Sequence, residues 1–136
     1  MSNRSELIKK WAEAWSSADV DTLLAFYTDD VEYVDVTFGA TFNGTEELRG
    51  FGKTMYAFSQ DLKLETHAEV VDGDNVAFEW TMSGTQHGDL GDIRADGRPW
   101  AVKGMSRAKF RGDQMSVCID YWDMVTVREC LTGHAE

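Results

Sequence analysis

The first part of the chain carries the apolar spacing of helices. Within residues 5–18, apolar side chains recur every three or four positions, which predicts an amphipathic helix with an aromatic inner face. These side chains are Leu7, Ile8, Trp11, Ala14, Trp15 and Ala18. Similar spacing predicts a second, short helix over residues 21–27 and a third that begins at Thr45. Residues 31–36, rich in β-branched and aromatic side chains, predict a strand between them, followed by a loop to Gly44.

The second part of the chain alternates between apolar and polar positions. After Ser59 this alternation predicts four strands, over residues 62–71, 75–85, 100–110 and 115–125. Asp72-Gly73-Asp74 predicts a hairpin turn between the first two strands, and the polar residues 87–98 predict a connecting loop. From Val127 the pattern weakens, so we expect a tail that frays. Helices followed by antiparallel strands predict an α+β fold, with the helices on one face of a bent sheet.

Length and charge limit the function classes. The 136 residues fit a single domain over residues 1–136, with its core at about residues 5–131. Lys and Arg number 13 against 24 Asp and Glu, so the formal net charge is −11. Such a balance repels phosphate backbones and anionic lipids, and we expect neither a nucleic-acid nor a membrane partner.

Cysteine content and the N-terminus predict a reducing compartment. Two cysteines, Cys118 and Cys130, are too few for a disulfide framework. Charged residues such as Arg4 and Lys9 interrupt any apolar run of the kind that a signal peptide requires. We therefore expect a cytoplasmic protein. No spacing matches a familiar metal-ligand pattern, and we expect neither a metal nor a cofactor.

Four local sequences resemble the SnoaL-like branch of the nuclear transport factor 2-like superfamily. They are FYTDDVE at 26–32, GTEEL at 44–48, EWTMSGTQHGDL at 79–90 and DYWD at 120–123. The resemblance implies a cone-shaped, curved, mixed or antiparallel sheet, with about three N-terminal helices closing an apolar pocket. It also implies a homodimer through the outer face of the sheet. Because this fold hosts several chemistries and also binders without catalysis, it does not by itself define the reaction.

The resemblance points to Asp120 as a catalytic residue. In SnoaL-type polyketide cyclases, the first aspartate of the last of these local sequences is the general acid/base of an aldol ring closure. A carboxylate in an apolar pocket has a raised pKa, which suits it to take and return a proton. Strand alternation places Asp120 on one face with Ser116, Cys118 and Trp122. The alternative is a solvated carboxylate, or one paired with an arginine.

Asp35 is the second candidate for a catalytic carboxylate. Members that resemble ketosteroid isomerases carry their general base on the first strand, five residues after an Asp-Asp turn. Asp35 stands five residues after Asp30, and Tyr33 lies on the same predicted strand face. Together, Asp35 and Tyr33 could present a carboxylate and a phenol to the pocket.

The polar partners used by related enzymes differ in this chain. Trp11 stands where the isomerases have a tyrosine, and Ser106 where they have a neutral acid. Trp80 and Met82 replace the arginine and aspartate of epoxide hydrolases, and the glutamine and histidine of the cyclases align with Gly104 and Ser106. The resemblance therefore favours a cyclase-like role for Asp120, with isomerase-like and hydrolase-like reactions as alternatives.

The predicted ligand is a small, apolar, carbonyl-bearing molecule. We expect its contacts to come from ten side chains on the predicted helices, strands and loop. They are Trp15, Tyr33, Phe51, Met55, Trp80, Met82, His87, Trp100, Ser106 and Trp122. Of these, His87 would carry a proton at the pocket rim, or else be a solvated loop histidine. A non-catalytic module for ligand binding or dimerisation is the alternative to an enzyme.

Overall fold

The computed structural model describes residues 3–133 of the chain. Within them the helices are α1 (Arg4–Trp15), α2 (Val20–Leu24), α3 (Thr45–Phe58) and α4 (Met124–Thr132). The strands are β1 (Tyr27–Asp35), β2 (Ala40–Asn43), β3 (Lys63–Asp72), β4 (Asn75–Thr85), β5 (Pro99–Arg111) and β6 (Gln114–Trp122).

The six strands form one curled sheet in the order β2-β1-β6-β5-β4-β3. Strands β1 and β6 pair in parallel, whereas every other neighbouring pair is antiparallel. The sheet is therefore mixed, and the predicted α+β fold with three N-terminal helices is confirmed. Strands β3 to β6 correspond to the four predicted strands. They form a meander, since strands that are consecutive in the chain are also neighbours in the sheet.

The N-terminal helices cover the inner face of the sheet. Helix α1 lies against β3, and α3 lies against β1 and β2. The aromatic stripe of α1 is buried as predicted, with Trp11 and Trp15 exposed by only 2% and 4%. Asp19 is the N-cap of α2, where its side chain accepts a hydrogen bond from the Asp21 amide. One continuous apolar core results between the helices and the sheet.

Helix α2 ends before its predicted boundary at residue 27, and β1 begins there instead of at residue 31. Two further elements were not predicted at all. Strand β2 lies within the predicted loop, where four residues pair with β1 although they are too few to show a period. Helix α4 replaces the predicted fraying tail and also ends β6 at Trp122. Its signals were Asp123, whose side chain accepts from the Val125 amide, and the spacing of the buried Val127 and Leu131.

Two observations bear on the environment of the protein. Cys118 and Cys130 are both free thiols, the first of them buried. Across residues 3–133, no helix combines the length and the apolar character that crossing a lipid bilayer requires.

Candidate active site

Strand register brings two carboxylates and a hydroxyl to the same place. The parallel pairing of β1 with β6 sets Asp35 opposite Asp120, and the antiparallel pairing of β5 with β6 sets Ser106 opposite Asp120. Residues directly opposite each other on neighbouring strands lie on the same face of a sheet. All three therefore project to the inner face, where each is less than one-tenth exposed.

Asp120 is buried but well supplied with donors. Its Oδ2 accepts a short hydrogen bond from the Tyr33 hydroxyl. Its Oδ1 accepts from Ser106 Oγ at 2.6 Å and, more weakly, from Cys118 Sγ at 3.6 Å. Burial raises the pKa of Asp120 to about 6, although the Ser106 and Tyr33 hydrogen bonds oppose this shift. Asp120 therefore changes its protonation state close to neutral pH.

The two neighbours Tyr33 and Cys118 act as donors only. Burial, followed by the charge of Asp120, raises the pKa of both groups well above its ordinary value. Both groups consequently remain protonated at neutral pH. They stabilise the ionised form of Asp120 without competing for its proton.

Trp80 orients the hydroxyl of Ser106. Its indole Nε1 donates to Ser106 Oγ at 2.8 Å, so the hydroxyl uses its own proton for Asp120. The indole lies across Gly104, where an added Cβ would stand 2.4 Å from Trp80 Cη2. Glycine at this position thus permits the chain of donors from Trp80 through Ser106 to Asp120. Sequence reasoning treated Trp80 only as a ligand contact and missed this role.

Asp35 holds the turn that follows β1. Its Oδ1 accepts the Phe38 amide at 2.9 Å, and Trp122 Nε1 donates to both carboxylate oxygens at 3.0 and 3.2 Å. Burial raises the pKa of Asp35, while these hydrogen bonds lower it. The Asp35 carboxylate therefore has a structural role, because it orients the Trp122 indole beside Asp120.

A small cavity of about 30 Å³ adjoins the two carboxylates. A single water needs roughly 10–15 Å³, so the cavity holds little more than one or two. Side chains from α1, α3 and four strands line it. They are Trp11, Trp15, Tyr33, Asp35, Phe51, Met55, Leu64, Trp80, Met82, Asp120 and Trp122.

A larger apolar cleft of about 510 Å³ lies outside this cavity. It runs between α3, the segment around β2 and the loop near Leu90. Phe51 and Met55 line both the cleft and the cavity, so these two side chains separate them. Methionine is flexible and polarisable, which makes Met55 the easier of the two to displace.

The structure brings most of the predicted ligand contacts together, but not all of them. Seven of the ten predicted contact residues line the small cavity, and Ser106 is hydrogen-bonded to Asp120 in its wall. His87 lies in the exposed loop, where its Nδ1 accepts the Gln60 amide. Trp100 packs on Phe58 and donates to Ser59 Oγ, outside the cavity.

Two cavity residues were absent from the predicted set. Trp11 stands one helical turn before Trp15, a spacing that places both indoles on one face of α1. Leu64 alternates correctly within the predicted strand, and its burial follows from that parity. Within residues 3–133, no three His, Cys, Asp or Glu side chains converge as a metal site requires.

The chain belongs to the SnoaL-like domain family, whose model matches residues 8–117. The match ends before Asp120 and so does not cover that residue. No protein among the curated sequences matches the chain.

Solved structures share the fold over nearly the whole chain. A Shewanella putrefaciens protein, named as a SnoaL-like polyketide cyclase, is 17% identical with a TM-score of 0.86, covering 98% of this chain and 99% of that one. IdmH of Streptomyces antibioticus, also named as a polyketide cyclase, is 22% identical with a TM-score of 0.82 and coverages of 96% and 99%. A hypothetical protein of Catenulispora acidiphila with a ketosteroid isomerase-like fold, in complex with trimethylamine, is 25% identical, with a TM-score of 0.81 and coverages of 93% and 92%.

Proposed function

We propose that this protein is a cofactor-independent acid/base enzyme that closes rings in a small, apolar, carbonyl-bearing substrate, as polyketide cyclases do. One observation carries the proposal. Asp120 is a buried carboxylate with a pKa of about 6, and it lines a cavity beside an apolar cleft. A general base works best when its pKa is close to the operating pH.

The proposed reaction needs only one proton carrier. The Asp120 carboxylate removes a proton from the carbon beside a carbonyl, and the electron pair of the broken C–H bond forms an enolate. The enolate carbon then bonds to a second carbonyl carbon of the same molecule. The oxygen of that second carbonyl takes the proton back from Asp120, which restores the carboxylate.

The cleft and the cavity support a substrate with two parts. An apolar body fits the outer cleft, whose aromatic wall includes Phe42 and Phe51 stacked at 4.7 Å. The reacting end passes Phe51 and Met55 to reach Asp120. The cleft lining holds Glu47 and Asp89 and no basic side chain, which together with the net charge of −11 favours a neutral substrate over an anionic one.

The test compares wild type with Asp120→Asn on a panel of polyketide-like methyl esters. We expect the variant to lose about 10²–10⁴-fold in turnover, the usual contribution of a general base. Asp72→Asn, an exposed carboxylate in the β3–β4 hairpin, controls for the loss of one negative charge. Wild-type kcat/KM should also fall about tenfold per pH unit below pH 6, as the base becomes protonated.

Unchanged turnover in Asp120→Asn would remove this residue from the mechanism. Absence of turnover in wild type across the panel would favour the second candidate, a non-catalytic ligand-binding module. That candidate is supported by the contrast in size between the cavity of about 30 Å³ at Asp120 and the outer cleft of about 510 Å³. A pKa of about 3.9 for Asp120 by NMR, the value of a free aspartate, would likewise favour binding over acid/base catalysis.

Isomerase-like and hydrolase-like reactions are weaker proposals for the same site. Trp80 and Met82 line the cavity where an epoxide hydrolase would need an arginine and an aspartate to orient water. An isomerase would use the same kind of base, so product analysis on the ester panel separates it from a cyclase. Asp35→Asn tests whether the second carboxylate contributes to turnover.

We also propose a homodimer through the outer face of the sheet. A shallow groove of about 990 Å³ lies there, with Met105 and Tyr121 exposed by 44% and 48%. Arg107 and Glu79 also line it, so the two copies in a twofold pair could match opposite charges. Sedimentation should show a dimer that Tyr121→Glu dissociates, whereas Val70→Glu, on the exposed β3 edge, leaves it intact. A wild-type monomer would exclude the proposal.

Two further proposals concern the domain and the location of the protein. We propose that residues 1–136 form one domain with its core at about residues 5–131, which limited proteolysis would test. We also propose a cytoplasmic location, because both cysteines are free thiols. Fractionation of cells that express the chain would check it.

A further inference from the structure

Trp15 differs from the other four tryptophans in its hydrogen bonding. Each of the others donates its indole N–H to a side chain: Trp11 to Tyr27, Trp80 to Ser106, Trp100 to Ser59 and Trp122 to Asp35. Trp15 Nε1 is buried and has no hydrogen-bond partner, although the residue is only 4% exposed. Leaving a buried donor unpaired is costly and uncommon in native proteins, so this N–H calls for a physical explanation.

The surroundings of this N–H group suggest what it binds. Trp15 lines the small cavity together with Asp120. Its indole packs on Phe51, with 6.3 Å between the ring centroids. Its N–H lies close to the Tyr27 hydroxyl but outside hydrogen-bond geometry, and that oxygen already accepts from Trp11 at 2.8 Å. In the described part of the chain, no protein group accepts from the Trp15 N–H, which leaves it available to a ligand atom that displaces water from the cavity.

We propose that the Trp15 indole N–H binds the reacting carbonyl oxygen of the substrate. This inference rests on the proposed function, since it needs a carbonyl compound in the cavity. When Asp120 removes the neighbouring proton, negative charge moves onto that oxygen. A fixed donor in a buried cavity stabilises this charge without reorganising, and such a donor can contribute about 10²–10³-fold to turnover. The isomerases have a tyrosine where this chain has Trp11. Here the Trp15 indole, on the same helix α1, would supply the donor instead.

The test removes one N–H group from the protein and one oxygen from the ligand. At position 15, Trp15 is replaced by 3-benzothienylalanine, in which sulfur takes the place of the N–H at nearly the same size. The ligands are 2-acetylnaphthalene, which offers one carbonyl oxygen, and 2-ethylnaphthalene, which offers none. Calorimetry measures all four dissociation constants.

We expect wild type to bind the ketone more tightly than the hydrocarbon. In the protein with 3-benzothienylalanine at position 15, affinity for the ketone should fall about tenfold, the effect of losing one net hydrogen bond. Affinity for the hydrocarbon should not change. In NMR spectra, the Trp15 indole proton should move downfield when the ketone binds, and the Trp100 proton should not. Equal loss of both ligands, an unmoved Trp15 resonance, or no binding of the ketone by wild type would overturn the proposal.

The same replacement at Trp100 is the matched control. There the N–H is satisfied by Ser59 at 3.2 Å, so its loss should lower Tm and leave ketone affinity unchanged. At Trp15 the N–H has no partner to lose, so Tm should not fall. A lower Tm at position 15 would mean that the group is structural. Because binding and NMR do not need turnover, these results are independent of the Asp120→Asn assay.

Discussion

Relative to wild type, the variant Asp120→Asn should become more stable as the pH rises, whatever the fixed cost of exchanging one acceptor oxygen for an NH2 group. The native pKa of about 6 lies well above 3.8, the ordinary value of an aspartate. Between these two values the native state holds a proton that the unfolded state has lost. The free energy of unfolding of wild type therefore falls by about 1.4 kcal/mol per pH unit there, or about 3 kcal/mol in total. Asparagine has nearly the same shape and does not titrate, so the variant avoids this loss.

The assay is urea unfolding of both proteins at several pH values, with linear extrapolation to water. From about pH 4.5 to about pH 7.5, the stability of Asp120→Asn relative to wild type should rise by about 2 kcal/mol and level off above about pH 6. The Asp35 carboxylate is present in both proteins and largely cancels in this difference. Asp72→Asn, measured in parallel, controls for the loss of one charge. A difference that is flat or falls with pH would refute the raised pKa.

Three further variants test the contacts around the carboxylate. Gly104→Ala should lower the free energy of unfolding by about 1–3 kcal/mol in urea titrations, because the added Cβ collides with the Trp80 ring; unchanged stability would place that indole elsewhere. Ser106→Ala should raise the pKa of Asp120 in a carbon-13 NMR titration, since the lost hydroxyl stabilises the ionised form, and a lower pKa would contradict the assigned hydrogen bond. Tyr33→Phe should move that pKa in the same direction, and no movement would show that the phenol does not donate to it.

Much of the fold follows from local patterns. The spacing of Trp11 and Trp15 predicts the buried face of α1, and the alternation in β6 predicts that Asp120 points inward with Cys118. Helix α4 was also predictable in principle, because Asp123 and the buried Val127 are recognisable signals. Strand β2 was not predictable, because four residues are stabilised by their pairing with β1 and not by any pattern of their own.

The candidate site depended far more on tertiary structure. Asp120 was found from its resemblance to a family sequence, and Asp35 from its distance to Asp30. Both arguments placed these carboxylates in one pocket, but neither predicted that they pair directly opposite each other, nor that Asp35 accepts hydrogen bonds from the Trp122 indole. The role of Gly104 was also hidden, since a missing Cβ has meaning only where another side chain fills its place.

The sequence by itself thus determined the α+β architecture and the inner faces of its elements, because these depend on periodicity over a few neighbouring residues. The leading carboxylate came from the resemblance of its local sequence to a family. Tertiary structure alone decided which groups meet at that carboxylate. Tyr33 lies 87 positions from Asp120, and only the parallel pairing of β1 with β6 makes them partners. The same closure leaves one indole N–H, that of Trp15, without a partner in the cavity wall. Local spacing carries no information on contacts of this range, since they form only when the whole sheet has curled around its core.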